Sequence, residues 1–329
     1  MNWELLGHEW AVRLLKEHIT RGGLRHAYLF TGPSGIGRRT LAVRLAQALN
    51  CPQPAAPGEP CRECRTCSQI ERMQYADLTV IQAEQYGGVL KVDQVRELLR
   101  SVALSPYEGR YRVALFLNFE NANPNAANAL LKTLEEPPPQ VILALTAESA
   151  ESLLPTIVSR CEVLRLRPLP IELVSQGLQA RWGLSPEQAQ LLAHISSGRP
   201  GMALRFHREP ERLEQRQVVL NDLLHLIACN RVERFAYAEA LTKETDKAGL
   251  RAVLVTWLSF WRDVLMRSAE SAAPLANLDR TAEIENLAAQ WDLETIRCMI
   301  SALERTFYLL DRNVNARLAF EVLLLGLPR

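Results

Sequence analysis

The sequence predicts an α/β fold over residues 1–168, a mostly parallel sheet with helices on both faces, followed by an all-helical remainder. Three observations predict it. Uncharged runs of strand length alternate with helical patterns up to about residue 165, and a glycine-rich loop joins the first such run to a helix. Beyond the proline-punctuated segment 165–170 (R-L-R-P-L-P), only helical patterns recur.

Each element has its own signal. Residues 9–20 place Trp10, Val12, Leu14, Leu15 and Ile19 in a helical stripe that Gly22 and Gly23 end. The uncharged run 27–30 (A-Y-L-F) stops at Thr31-Gly32-Pro33 and suits a buried strand. Helical spacing returns at 40–49, a strand is expected at 78–81, and a helix at 92–104 carries Val92, Val95, Leu98, Leu99 and Val102. Residues 113–117 read as a third strand, 125–134 as a helix closed by Pro137-Pro138-Pro139, and 141–145 as a fourth strand. Further on, short helices are expected at 171–182 and 186–196, and Gly198 and Gly201 mark a turn before 202–206. From about residue 211, long amphipathic stretches with Trp257 and Trp261 on one stripe indicate a helical bundle.

Composition narrows the function classes. A chain of 329 residues with 48% hydrophobic content is long enough for two or three domains. Its 38 basic and 37 acidic side chains leave a formal charge of +1, so no global field draws it to nucleic acid or an anionic membrane. Glu4, His8, Glu9, Arg13, Lys16 and Glu17 interrupt the first 30 residues, so neither a secretory signal nor a membrane span is expected, and the expected location is the cytoplasm. Seven cysteines, an odd count with four crowded between Cys51 and Cys67, do not resemble a disulfide framework.

Residues 32–39 read G-P-S-G-I-G-R-R, against the phosphate-loop pattern G-x-x-x-x-G-K-[ST]. Gly32, Gly35 and Gly37 keep the backbone free to turn its N–H groups onto phosphate oxygens at a helix N-terminus. Arg38 stands where the lysine is required, and Arg39 where a hydroxyl holds magnesium. Thr40 carries a hydroxyl one residue late, turned by about 100° on a helix. The strand expected to end in Asp-Glu instead runs Leu117-Asn118-Phe119-Glu120, with a neutral amide at the metal position. Two uses of this loop fit the residues: a turn that only packs the helix, or a site that holds ATP or ADP without hydrolysing it.

Cys51, Cys61, Cys64 and Cys67 follow the spacing C-x9-C-x2-C-x2-C in a segment that prolines keep out of regular structure. Four thiolates make a closed tetrahedral set, and structural zinc is the expected occupant, with an iron–sulfur cluster or free thiols as the competing readings. Cys161, Cys229 and Cys298 stand alone and are expected as small buried residues.

Taken together, these motifs resemble the bacterial DNA polymerase III clamp-loader family, specifically its delta-prime type. The resemblance rests on 26–33 (H-A-Y-L-F-T-G-P), 106–111 (P-Y-E-G-R-Y), 128–138 (N-A-L-L-K-T-L-E-E-P-P) and 154–161 (L-P-T-I-V-S-R-C), and it covers residues 7–168. It implies an AAA+ domain at 1–168 with a zinc module at 51–67, a small helical lid at 169–207 and an oligomerising collar at 208–329. It also implies that Ser159-Arg160-Cys161 presents Arg160 as a finger to the γ-phosphate held by a neighbouring gamma/tau subunit, with Cys161 packed beneath. The implied partners are gamma/tau and delta subunits, and, through the complex, the sliding clamp and primer-template DNA; no membrane is implied. The sequence departs from gamma/tau at Arg38, Arg39 and Asn118, and Gly201 stands where a sensor arginine is expected. Gly7-His8 resembles the family's Gly-Gln beside the adenine pocket. Two other readings remain: an atypical active ATPase of gamma/tau type in which Arg38 replaces the lysine, and a zinc-dependent interaction module without a replication role.

Overall fold

The computed structural model describes residues 3–83, 88–312 and 314–328. It divides into two compact units, Met1–Gly177 with Gly198–Met202, and Leu178–Ser197 with Ala203–Arg329.

The first unit alternates helix and strand: α1 (Glu9–Thr20), β1 (Ala27–Thr31), α2 (Arg38–Asn50), α3 (Arg65–Glu71), β2 (Leu78–Ile81), α4 (Val92–Val102), β3 (Arg112–Phe116), α5 (Pro124–Glu135), β4 (Val141–Ala147), α6 (Pro155–Val158), β5 (Glu162–Arg165) and α7 (Ile171–Trp182). The five strands form one sheet in the order β2-β3-β4-β1-β5, and every pairing is parallel. Parallel neighbours need crossovers, and the helices that supply them cover both faces, so β1 and β4 are buried throughout. Successive side chains alternate sides: Tyr28, Phe30 and Leu115 pack with Leu41 and Leu45 of α2, whereas Leu29, Phe116 and Leu143 pack with Leu98 of α4 and Leu130 of α5.

Periodicity had not singled out β5. Its four residues lie in a polar-flanked stretch, and they are a strand because β1 offers them a partner, Tyr28 opposite Glu162 through Thr31 opposite Arg165. The helix expected from residue 40 begins at Arg38, since Gly37 supplies the left-handed turn that starts it. The turn expected at Gly201 is instead the first turn of α9, with Pro200 opening the helix.

The second unit is helical among its described residues: α8 (Pro186–Ile195), α9 (Pro200–Arg208), α10 (Glu211–Ala228), α11 (Arg231–Glu244), α12 (Lys247–Ser268), α13 (Thr281–Gln290), α14 (Leu293–Asp311) and α15 (Ala316–Leu325), with the division between units passing through α7 and α9. Trp257, Phe260 and Trp261 of α12 are fully buried among Leu223 of α10, Leu303 of α14 and Phe320 of α15. Buried Arg234 donates to the carbonyls of Leu226, Ile227, Leu324 and Leu327, which close the C-terminal ends of α10 and α15. No helix among the described residues is long and apolar enough to cross a membrane.

Candidate functional site

The phosphate loop leaves β1 at Gly32, whose N–H donates to the carbonyls of Ala147 (3.3 Å) and Glu148 (3.1 Å), and it ends at Gly37, the left-handed cap of α2. Gly35 is needed for two reasons. Its φ is +83°, and a β-carbon there would sit 2.7 Å from the backbone nitrogen of Met202. Gly201 N–H in turn donates to Gly35 C=O at 2.8 Å, and a β-carbon on Gly201 would meet that same oxygen. The position where the family resemblance expects a sensor arginine is thus occupied by a backbone-to-backbone contact too close for any side chain.

Arg38 is only 8% exposed, and its Nη2 donates to Asn118 Oδ1 at 3.3 Å. Asn118 sits just past β3 in a left-handed conformation (φ 51°), and its N–H donates to the buried hydroxyl of Thr146 on β4 at 2.8 Å. Sequence reasoning missed Thr146; the signal was available as the one hydroxyl in an otherwise apolar strand, V-I-L-A-L-T-A. Glu120 lies near Arg38, with Oε2 lacking a hydrogen-bond partner. Burial pushes its carboxyl up from the usual range, against the pull of its own backbone and of the Arg38 charge. Arg39 and Thr40 are both exposed on the first turn of α2.

Beside α1, a cleft of about 460 Å³ is lined by His8, Trp10, Arg165, Arg167, Pro168 and Leu169. His8 is buried in a left-handed conformation (φ 59°), and its Nε2 has no partner. Burial lowers the imidazole pKa, which favours the neutral ring.

The cysteine quartet closes on itself. All four Sγ atoms lie within 4.8 Å of one another, with Cys51 and Cys61 3.5 Å apart and Cys61 and Cys67 4.0 Å apart. A tetrahedral zinc with Zn–S near 2.3 Å has sulfur–sulfur edges of about 3.8 Å, so the donor set and its dimensions fit zinc. Backbone N–H groups of Cys61, Cys64 and Cys67 point at the sulfurs of Cys51, Cys61 and Cys64, each at 3.4 Å, a pattern that favours thiolates. Burial raises the Cys61 thiol pKa, but the amides of Cys64 and Glu63, with the Cys51 and Cys64 thiols, outweigh it and bring the group to about 7. The module is tied to the sheet domain: Trp3 Nε1 donates to Gly58 C=O at 3.0 Å, Gln47 Nε2 to Cys67 C=O at 2.8 Å, and Arg44 pairs with Glu71.

Arg160 follows α6 and is 35% exposed at its side chain. Nη1 donates to the Thr156 carbonyl (2.9 Å) and the Ser159 hydroxyl (3.3 Å), and Nη2 donates to Glu135 Oε1 (2.7 Å). Cys161 is half-buried, and burial pushes its thiol up to about 12. None of the three isolated cysteines is fully buried as expected: Cys161 and Cys229, the latter at the C-cap of α10, are half-buried, and Cys298 is exposed on α14. Composition carries no information on which helix face a cysteine takes; here Cys298 Sγ lies 4.0 Å from Glu294 Oε1, and Cys229 lies beside Glu233.

A family model described as "DNA polymerase III, delta subunit" matches residues 7–170, and one described as "DNA polymerase III, delta subunit, C terminal" matches residues 210–328. The chain is 39% identical over 215 residues to DNA polymerase III subunit delta' of Pseudomonas aeruginosa, covering 64% of this chain and 65% of that one, just under two thirds of its length. It is 29% identical over 322 residues to the subunit delta' of Bacillus subtilis, covering 96% and 94%. It is 34% identical over 200 residues to the tau subunit of Escherichia coli, covering 59% of this chain and 30% of that one.

Proposed function

The chain belongs to the delta-prime subunits of the DNA polymerase III clamp loader, and from that membership we propose that it works in the loader without hydrolysing ATP, lending Arg160 to a neighbouring gamma/tau subunit. One observation carries the first half. The two side chains that should grip phosphate and magnesium are a guanidinium and a neutral amide bonded to each other, Arg38 to Asn118. Magnesium needs oxygen ligands of negative or hydroxyl character, and Arg39 and Asn118 supply neither. The backbone cradle of Gly32, Gly35 and Gly37 still suits a phosphate, so ATP or ADP held without turnover belongs to this reading.

The second half is supported by exposure and charge: Arg160 is the arginine of the S-R-C triplet, with its guanidinium at the surface on a short, anchored turn. A permanently charged planar fork stabilises the charge that spreads over a transferring phosphoryl group. In the same reading, residues 169–207 are the lid and 208–329 the collar, and the assembly adds gamma/tau and delta subunits, the sliding clamp and primer-template DNA, in the cytoplasm. Cys51, Cys61, Cys64 and Cys67 hold structural zinc, which when bound cross-links a segment with little apolar content of its own.

The competing reading is an active ATPase of gamma/tau type, favoured by the tau likeness and by Glu120, a carboxyl of raised pKa near Arg38. Steady-state hydrolysis by the purified chain separates the two. The proposal expects no magnesium-dependent turnover above background and a slower loader when assembled with the R160A chain. Turnover that R38A abolishes establishes the competing reading instead.

A further inference from the structure

Arg160 does not stand free. Its guanidinium has five N–H groups, and three are engaged: both hydrogens of Nη1 by Thr156 C=O and Ser159 Oγ, and one of Nη2 by Glu135 Oε1. The groups left over are Nε–H and the second Nη2–H, enough for a bidentate grip on phosphate oxygens. Glu135 ends α5, and Thr156 begins the turn of α6. Those two elements are locked together from below by fully buried Ile157, which packs with Leu130 and Leu134 of α5. The carboxylate and the carbonyl that orient the guanidinium therefore come from one rigid block.

We propose that Glu135 is a positioning residue for Arg160: it fixes the plane of the guanidinium so that the remaining donors face outward to the phosphate of an adjoining protomer. This rests on the trans-finger reading given above. The physical benefit is entropic. A free arginine has many rotamers, and ordering it on contact with phosphate costs rotamer entropy; a side chain already tied at three donors has met most of that cost. Glu135 touches no nucleotide in this scheme, and its carboxylate remains on the guanidinium while the phosphate is engaged.

The test uses the assembled loader with gamma/tau, comparing the wild-type chain, E135A, E135Q, R160A and the E135A/R160A double variant. The expected result is that E135A lowers kcat about 3-fold, the scale set by an exposed charged pair, with KM for ATP unchanged and assembly intact. E135Q keeps an acceptor oxygen and restores most of the rate, and the double variant is no slower than R160A alone. If E135A matches the wild type while R160A is slow, the positioning role is overturned and the finger stands. If neither single variant slows the loader, the finger reading falls and this inference with it. A double variant slower than R160A by the full E135A factor means that Glu135 acts elsewhere, which also overturns it. Should E135A fail to assemble, E135S takes its place under the same outcomes.

Discussion

Arg38 on the first turn of α2 and Asn118 just past β3, 80 positions apart in the chain, meet at 3.3 Å. The contact ties the start of α2 to the end of β3.

The close approach of the phosphate loop to the start of α9 leaves no room at Gly35. Gly35→Ala places a methyl 2.7 Å from Met202 N at a φ of +83°, and it is expected to cost about 1–3 kcal/mol in urea unfolding of the full chain. A variant as stable as the wild type contradicts this.

The cysteine quartet is expected to carry one zinc per chain, measurable by elemental analysis of the purified protein. Cys64→Ser is expected to lose it and to unfold at lower denaturant concentration. Because the ligands must be thiolates, acidification releases the metal, and a zinc-free wild-type chain removes the assignment.

Asp77 is completely buried and accepts N–H groups from Tyr107 (2.7 Å), Glu108 (2.9 Å) and Gly109 (2.7 Å), with Arg112 alongside. Burial works to raise its pKa, but the three amides and the arginine together hold it below the usual carboxylate range. A depressed folded-state pKa contributes stability that is present above the unfolded value of about 3.9 and is lost as pH falls through the folded value. Asp77→Asn is therefore expected to cost about 2–3 kcal/mol at pH 7, a difference that shrinks below about pH 4. A difference that grows on acidification runs against the sign.

In the helical unit, Arg234→Ala strands the carbonyls of Leu226, Ile227, Leu324 and Leu327 in a dry interior. The expected loss is about 3 kcal/mol or more, read by chemical denaturation, and it is expected to exceed that of Arg251→Ala, whose partner Asp311 is exposed.

By itself the sequence determined the glycine loop, the residues missing from it, the four-cysteine cluster and the strand–helix alternation, because each is a local pattern whose meaning lies in spacing along the chain. Only the tertiary structure decided that β5 is a strand, since four residues acquire that state from the edge of β1. It also decided that Arg38 is tied to Asn118, that Gly201 closes on Gly35, and that Arg160 is held by Glu135. These contacts join segments brought together by parallel crossovers, and hydrogen bonding between distant side chains leaves no periodicity in the sequence from which it can be read.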